Sequence, residues 1–374
     1  MQIIQPLESF NLQASTQSPD KQTRVTCLFL ITLLLISPLL YGKNNINDQN
    51  IDLQPGWDVY GYVNLVATDV AKQTSKIELD DLSIFLSKKY NSWLNPFIEA
   101  EFFSVPLWKN QGSARLQDGH FIFERIYNDV HLNNHATLRI GKFLAPVGLW
   151  NLIHAAPLVW TIERPLSTTF SYSNYISGIE YRHTIDAING KRLDVYYQGW
   201  NDIDPQPISN QTREYTKVYG ASWTLVDDLS KRSSIDVQYA KVKGNNTRRT
   251  TISWQKVWYL PQWDIGSQLI YTKVNGEEAS PVNTLINNQS STSSWDGGGY
   301  IQARYHLNSK WNIYSRIERY HFAKTRNLGE SILLGMRYRF DRQGNINAEI
   351  LHGEGSDLIA SDSLLISYNS MFKW

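Results

Sequence analysis

From Trp57 onward the chain alternates apolar and polar residues with a period of two. Ile98, Ala100 and Phe102 stand opposite Glu99 and Glu101, and Ile301, Ala303, Tyr305 and Leu307 opposite Gln302, Arg304 and His306. Ile332, Leu334, Met336, Tyr338 and Phe340 stand opposite Ser331, Gly335, Arg337 and Arg339. Successive side chains of a strand point to opposite faces, so this spacing predicts strands with one apolar face. The segments are 58–69, 76–90, 94–104, 120–132, 136–144, 175–185, 191–201, 214–226, 232–243, 248–259, 263–274, 298–308, 311–322, 330–340, 344–353 and 363–374. No heptad, helical stripe or repeat of 20–50 residues interrupts them. The alternation fits two architectures. In a membrane barrel the apolar face meets lipid and the polar face a wet interior; in a soluble sandwich the apolar face is the core.

The connections favour the barrel. Every second link is a tight turn: Asn91–Trp93, Asn133–His135, Asp186–Gly190, Asp227–Lys231, Leu260–Gln262, Asn308–Lys310 and Asp341–Gly344. The links between them include the long stretches 105–119, 145–174, 202–213 and 275–297. Short turns at one end and long loops at the other organise an outer-membrane barrel, whereas a sandwich scatters its long loops. An even strand number leaves both termini on the turn side. The last residues put Leu364, Ile366, Tyr368, Phe372 and Trp374 on one face. A final strand of this kind is expected where the last strand must pair with the first. The predicted fold class is therefore all-β: a transmembrane antiparallel β-barrel of about sixteen strands.

Composition supports this reading. There is no run of about 18 apolar residues that would make a membrane helix. The mean hydropathy of −0.38 is what an alternating barrel averages to. The 13 Trp and 21 Tyr suit aromatic belts at two interfaces, although a carbohydrate-binding β-protein is also rich in both. A net charge of +1 argues against nucleic acid as a partner. Lys21 and Arg24 precede the apolar run Cys27–Tyr41, the layout of a secretory signal. The expected division is a leader and signal over 1–42, a short periplasmic segment over 43–56, and the barrel over 57–374. The single cysteine, Cys27, falls in the leader, so disulfides and thiolate metal sites are excluded from the rest.

The longest link, Ala145–Asn174, carries Leu149, Leu152, Ile153, Leu158, Val159 and Ile162 beside Trp150, His154, Trp160, Glu163 and Arg164. It is too apolar for a free surface loop. It is expected to fold into the lumen as the third outer loop and narrow it, a lid or a subunit contact being the alternatives. Just before it, Arg139-Ile140-Gly141-Lys142-Phe143-Leu144-Ala145-Pro146-Val147-Gly148 resembles a segment of bacterial porins, notably the phosphate-selective porin family. Glu163-Arg164-Pro165-Leu166 and Ser177-Gly178-Ile179-Glu180 resemble the next segments in that family. The resemblance is specific over 138–185. It implies a sixteen-stranded, trimeric porin with an inward-folded loop after this strand. It does not by itself imply phosphate selectivity, since no basic ladder is evident.

Alternation also sketches an interior. Glu99, Glu101, Arg125, Arg139, Lys142, Arg182, Arg304, Arg316, Glu318, Arg337 and Arg339 are the expected pore-lining charges, with His154, Trp160, Glu163 and Arg164 at the constriction. The arginines of strands twelve to fourteen would form a basic wall far around the ring from Glu99 and Glu101. Such opposition either orders solutes in a transverse field or is ordinary ion pairing that fills space. Motifs for metal, phosphate or nucleophilic chemistry are absent, which leaves no enzymatic expectation and no cofactor. The reading is a porin of the bacterial outer membrane, partnered by its lipid, passing small hydrophilic solutes or ions, and assembling as a homotrimer. A barrel whose outer loops bind a partner, or a secreted carbohydrate-binding β-protein, would share many of these features.

Overall fold

Sixteen strands follow one another, each hydrogen-bonded to the next, and the last returns to the first. The computed structural model describes residues 57–70, 75–115, 118–153, 155–205, 213–244, 246–276, 295–323, 328–355 and 362–373. The leader, the segment 43–56, His154 and Trp374 lie outside them. The strands are β1 (Asp58–Val70), β2 (Lys76–Ser87), β3 (Pro96–Lys109), β4 (His120–Asn133), β5 (Ala136–Leu144), β6 (Tyr175–Asp186), β7 (Lys191–Gln198) and β8 (Tyr215–Asp227). They continue as β9 (Lys231–Val242), β10 (Arg248–Tyr259), β11 (Trp263–Asn275), β12 (Trp295–His306), β13 (Trp311–His321), β14 (Leu328–Arg339), β15 (Gly344–Glu354) and β16 (Ser363–Lys373). Two short helices, α1 (Leu149–Leu152) and α2 (Leu166–Ser171), sit in the link between β5 and β6. The segments predicted from alternation fall on these strands, with ends displaced by a few residues where a turn or bulge intervenes.

Closure is made by eleven register pairs between β1 and β16, from Tyr60 opposite Lys373 to Val70 opposite Ser363. At the seam Phe372 lies across Gly61. A Cβ there would fall 2.6 Å from the ring and 2.3 Å from the Ser83 carbonyl oxygen, so the close approach requires glycine.

Burial decides between the two architectures. On β13 and β14 the outward residues Ile317, Ile332 and Leu334 are 65%, 54% and 56% exposed, while the alternate residues Arg316 and Glu318 are 1% and 2% exposed. A soluble sheet would show the reverse. A surface that is apolar outside and polar within is that of a barrel spanning a bilayer. Aromatic pairs ring the outer face near both ends. Trp263–Tyr305 (4.6 Å between rings) and Trp311–Tyr338 (4.5 Å) lie at the turn end, with Tyr219–Tyr239 (4.7 Å) at the other. Such amphipathic rings anchor at headgroup depth.

The turns form for a local reason. Six of the seven open on Asn91, Asn133, Asp186, Asp228, Asn308 or Asp341, whose side chains accept hydrogen bonds from backbone N–H groups two or three residues on. The seventh contains Pro261 and closes with the Leu260 N–H donating to the Trp263 carbonyl at 2.7 Å. At the turn after β8, the Ser230 hydroxyl and backbone N–H hold the Asp228 carboxyl below the usual carboxylate range. The stabilisation from that turn is present above the ordinary carboxylate pKa and is lost as pH falls through the lowered value.

Leu334 faces outward near the middle of its strand. Leu334→Arg is expected to destabilise the barrel by about 2–4 kcal/mol in reversible unfolding from vesicles. No change would place this face out of the hydrocarbon.

Candidate functional site: the link between β5 and β6

The chain leaves β5 through Gly141, whose φ is +134° and whose added Cβ would sit 2.2 Å from the Ile126 carbonyl oxygen. The neck of the link is closed by Asn151. Its Nδ2 donates to the carbonyls of Ala145 at 2.7 Å and Asn174 at 3.0 Å, and the Ala145 N–H donates to the Asn174 carbonyl. Between these points the segment is bonded to inward-facing side chains of six strands, β9, β10, β11, β13, β14 and β15, and packs on β12 among them.

On β9, Asp236 accepts from the Gly148 N–H at 3.2 Å, and Gln238 exchanges two bonds with the backbone of Ser173. On β10, Arg249 donates to the Phe170 carbonyl and Thr251 to that of Ser171. Gln268 of β11 accepts from the Ser167 hydroxyl at 3.0 Å, and α2 packs on β11, β12 and β13. On β13, Arg316 donates to the Glu163 carbonyl at 2.8 Å, and Glu318 accepts from the Ser167 N–H. Arg337 of β14 donates to the Val159 carbonyl. On β15, Asn345 donates to the Pro157 carbonyl, and Glu349 accepts from the N–H groups of both Ile162 and Glu163 while Tyr314 donates to it at 2.9 Å. The physical need is plain: a buried irregular segment carries unpaired backbone groups, and each must find a donor or acceptor.

Apolar residues fill the space between these anchors. Leu149, Trp150, Val159 and Trp160 cluster with Val257 and Tyr300, and the two indoles meet edge-on at 6.4 Å. The Arg304 guanidinium lies 4.5 Å over the Trp160 ring and is held by Asp264, which also meets His306 at 2.9 Å. Phe143, Val147, Phe170, Tyr172 and Ile176 form a second cluster with Tyr196, Tyr320 and Phe322.

The residues expected to line the interior separate into groups. Arg316, Glu318 and Arg337 face inward, yet they lie beneath the link as its anchors. They do not form an open basic wall. Arg125 pairs with Glu99 and lies 4.8 Å over the Phe97 ring. Arg139 pairs with Asp129 at 2.7 Å, and Arg182 bridges Glu180 and Asp194 at 3.0 and 3.1 Å. Arg339 is exposed at the turn end of β14. Glu101 is buried on β3, near Asp81, which accepts from the hydroxyls of Tyr62 and Ser83, and Glu124, which accepts from Tyr175.

Lys142 is a correction. It is a register partner of Ile126 and Ser177, on the face opposite to Arg139, because an odd number of positions separates the two. Its ammonium donates to the Asp204 carbonyl at 2.6 Å under the β7–β8 link and is buried there. Within 145–174, Trp160 is buried, and Glu163 and Arg164 are half-buried. The Glu163 backbone is held at both its N–H and its carbonyl. Asp236, Gln238, Gln268 and Arg249 are anchors that charge-based reading passed over. Their inward parity was visible, but the partner of each lies 65 to 101 residues away.

Glu349→Ala removes the acceptor of two backbone N–H groups. The expected cost is roughly 1.5–3 kcal/mol per charged hydrogen bond lost. Hydrogen exchange in detergent should show the amides of Ile162 and Glu163 opening faster while β1 and β16 stay protected. Unchanged exchange would show that Glu349 does not anchor the segment.

No family model and no curated protein matches the chain. Solved structures do match its fold. OmpF of Salmonella typhi, in complex with daunomycin, aligns with TM-score 0.62 at 12% identity over 84% of this chain and 97% of that one. A loop L8 deletion mutant of OmpT, an outer membrane protein of Vibrio cholerae, gives 0.58 at 12% over 85% and 99%. The outer membrane channel DcaP of Acinetobacter baumannii gives 0.57 at 10% over 84% and 97%. At such identities the likeness is one of fold: a closed sixteen-stranded barrel of the outer-membrane porin and channel type.

Proposed function

We propose that this protein is a porin of the bacterial outer membrane, a water-filled channel for passive diffusion of small hydrophilic solutes or ions, with the link 145–174 as its constriction. The observation that carries the proposal is the bonding and packing of that link against the inward side chains of β9 to β15. A segment held there takes up cross-section on one side of the ring. The path left is bounded by the link and by β1 to β7, where Asp81, Glu99, Glu101 and Glu124 sit. The resemblance of 138–185 to phosphate-selective porins supports the same role. A homotrimer is supported by that resemblance and by the trimer form recorded for OmpT of Vibrio cholerae. The reading assigns the protein no covalent chemistry.

The narrowest section of a channel dominates its resistance. Replacing residues 151–168 by a short Gly-Ser link is therefore expected to raise single-channel conductance in planar bilayers by a factor of about two or more. Arg164→Gln should shift the reversal potential in asymmetric salt toward cations, and Glu163→Gln toward anions, because a fixed charge in a narrow passage is poorly screened. Arg337→Gln should shift it less, since its guanidinium is covered and given to the Val159 carbonyl. Conductance and selectivity untouched by the replacement would remove the link from the pore.

A further inference from the structure

The outer face of the barrel is apolar through its middle, and at the loop end of β8 to β13 it becomes basic. Lys217 of β8 is the direct register partner of Lys241 on β9, and Lys241 is that of Arg248 on β10. Paired residues share a face of the sheet. All three lie on the outward parity, that of Tyr219, Val237 and Ile252. Three cations thus stand side by side across about 10 Å, two strand spacings. Like charges directly opposite one another destabilise a sheet. Lys273 of β11 lies one outward position further along, opposite Thr250 and beside Trp295. Among the described residues no carboxylate forms an ion pair with Lys217, Lys241, Arg248 or Lys273, whereas nearby Lys243 is held by Glu214 and Arg319 by Glu330.

The same face carries a groove. Gly297 and Gly299 of β12 interrupt the outward side chains, and an apolar hollow of about 1010 Å³ lies there, walled by Leu269, Tyr271, Trp295, Ile301 and Ile317. A Cβ at Gly299 would fall 2.4 Å from the Gln268 carbonyl oxygen, so packing keeps the hollow free of a side chain. Its loop end is marked by Arg319 and by His321, which stacks on Trp295 at 4.1 Å. Lys273 links the cation row to the groove.

We propose that this surface binds a phosphate-bearing lipid of the outer leaflet, with acyl chain in the groove and anionic head against Lys217, Lys241, Arg248 and Lys273. A free anion would account for the cations and leave the groove unexplained. A zwitterionic lipid would fill the groove and leave three adjacent positive charges without a counter-charge among the described residues. Phosphate oxygens are strong acceptors for lysine and arginine, and such heads gather juxtamembrane basic clusters. The loop end of the strands is the side of the outer leaflet. The proposal rests on the barrel spanning the outer membrane and not on its conducting solutes.

The test uses the full chain folded in a non-ionic detergent, with heat-modifiable gel migration as the readout. A ligand that binds only the folded barrel stabilises it by RT ln(1 + [L]/Kd) and so raises its melting midpoint with concentration. Dioleoyl phosphatidic acid should raise the midpoint, while dioleoyl phosphatidylcholine and inorganic phosphate should not. The triple variant Lys217→Gln, Lys241→Gln, Arg248→Gln should need at least tenfold more phosphatidic acid for an equal rise. Lys241→Glu provides a second arm independent of lost contacts. It puts a carboxylate between two cations, so the lipid-free midpoint should rise while the response to phosphatidic acid falls. Equal responses to both lipids would overturn the proposal, as would a response to inorganic phosphate alone. So would an unshifted concentration dependence in the triple variant, or a Lys241→Glu barrel that responds like the native one.

Discussion

The rest of this structure depends on one constraint: inside hydrocarbon no backbone N–H or carbonyl is left without a partner. A sheet satisfies that only if it has no edge, so β1 must meet β16 in register from Tyr60–Lys373 to Val70–Ser363. Closure then creates an inside. Period-two alternation assigns each residue to lipid or to that inside, and the inversion of burial along β13 and β14 is the result. The phenyl ring of Phe372 lying across Gly61 shows how tightly the seam is drawn.

The same rule explains the link between β5 and β6. Its backbone is irregular and buried, so its polar groups need partners that no neighbouring strand of its own supplies. The inward wall provides them. Arg316 and Arg337 serve carbonyls, and Glu318 and Glu349 serve N–H groups. Charged partners make stronger hydrogen bonds than neutral ones, and here both signs occur within a few ångströms, Arg316 lying 3.6 Å from Glu318. Charges that looked like the selective wall of a pore are in this way taken up as anchors. On the proposed reading, the charge in the remaining passage is set by the link's own Glu163 and Arg164 and by the far wall at β2 to β4.

The outer face shows the opposite arrangement. Its middle carries no charge, and its loop end carries cations that the register forces side by side. A sheet tolerates such a row when its counter-charges come from beyond the sheet itself. This separates two roles for basic residues in one barrel: Arg249, Arg316 and Arg337 within bind the link's carbonyls, while Lys217, Lys241 and Arg248 at the outer rim face outward.

Much of this was legible in the sequence. Alternation in segments such as 330–340 marked strands, and Asn or Asp at Asn91, Asp186 and Asp341 marked turns, because both signals are local: side-chain direction is set by the backbone pleat, and a turn is capped from within itself. The excess of apolar residues in 145–174 showed that the link could not stay free in water. Alternation also held the evidence against Lys142 as a companion of Arg139, since an odd separation puts them on opposite faces. What the sequence could not decide was which charges stay open and which are covered. Ile162 and Glu349 are 187 positions apart, and Arg337 and Val159 are 178. Their meeting depends on barrel closure and on the path of one loop across seven strands. The cation row required the register of β8, β9 and β10, because only pairing tells which residues of separate strands become neighbours. Local pattern determined the wall; the closed ring decided what each face of it meets.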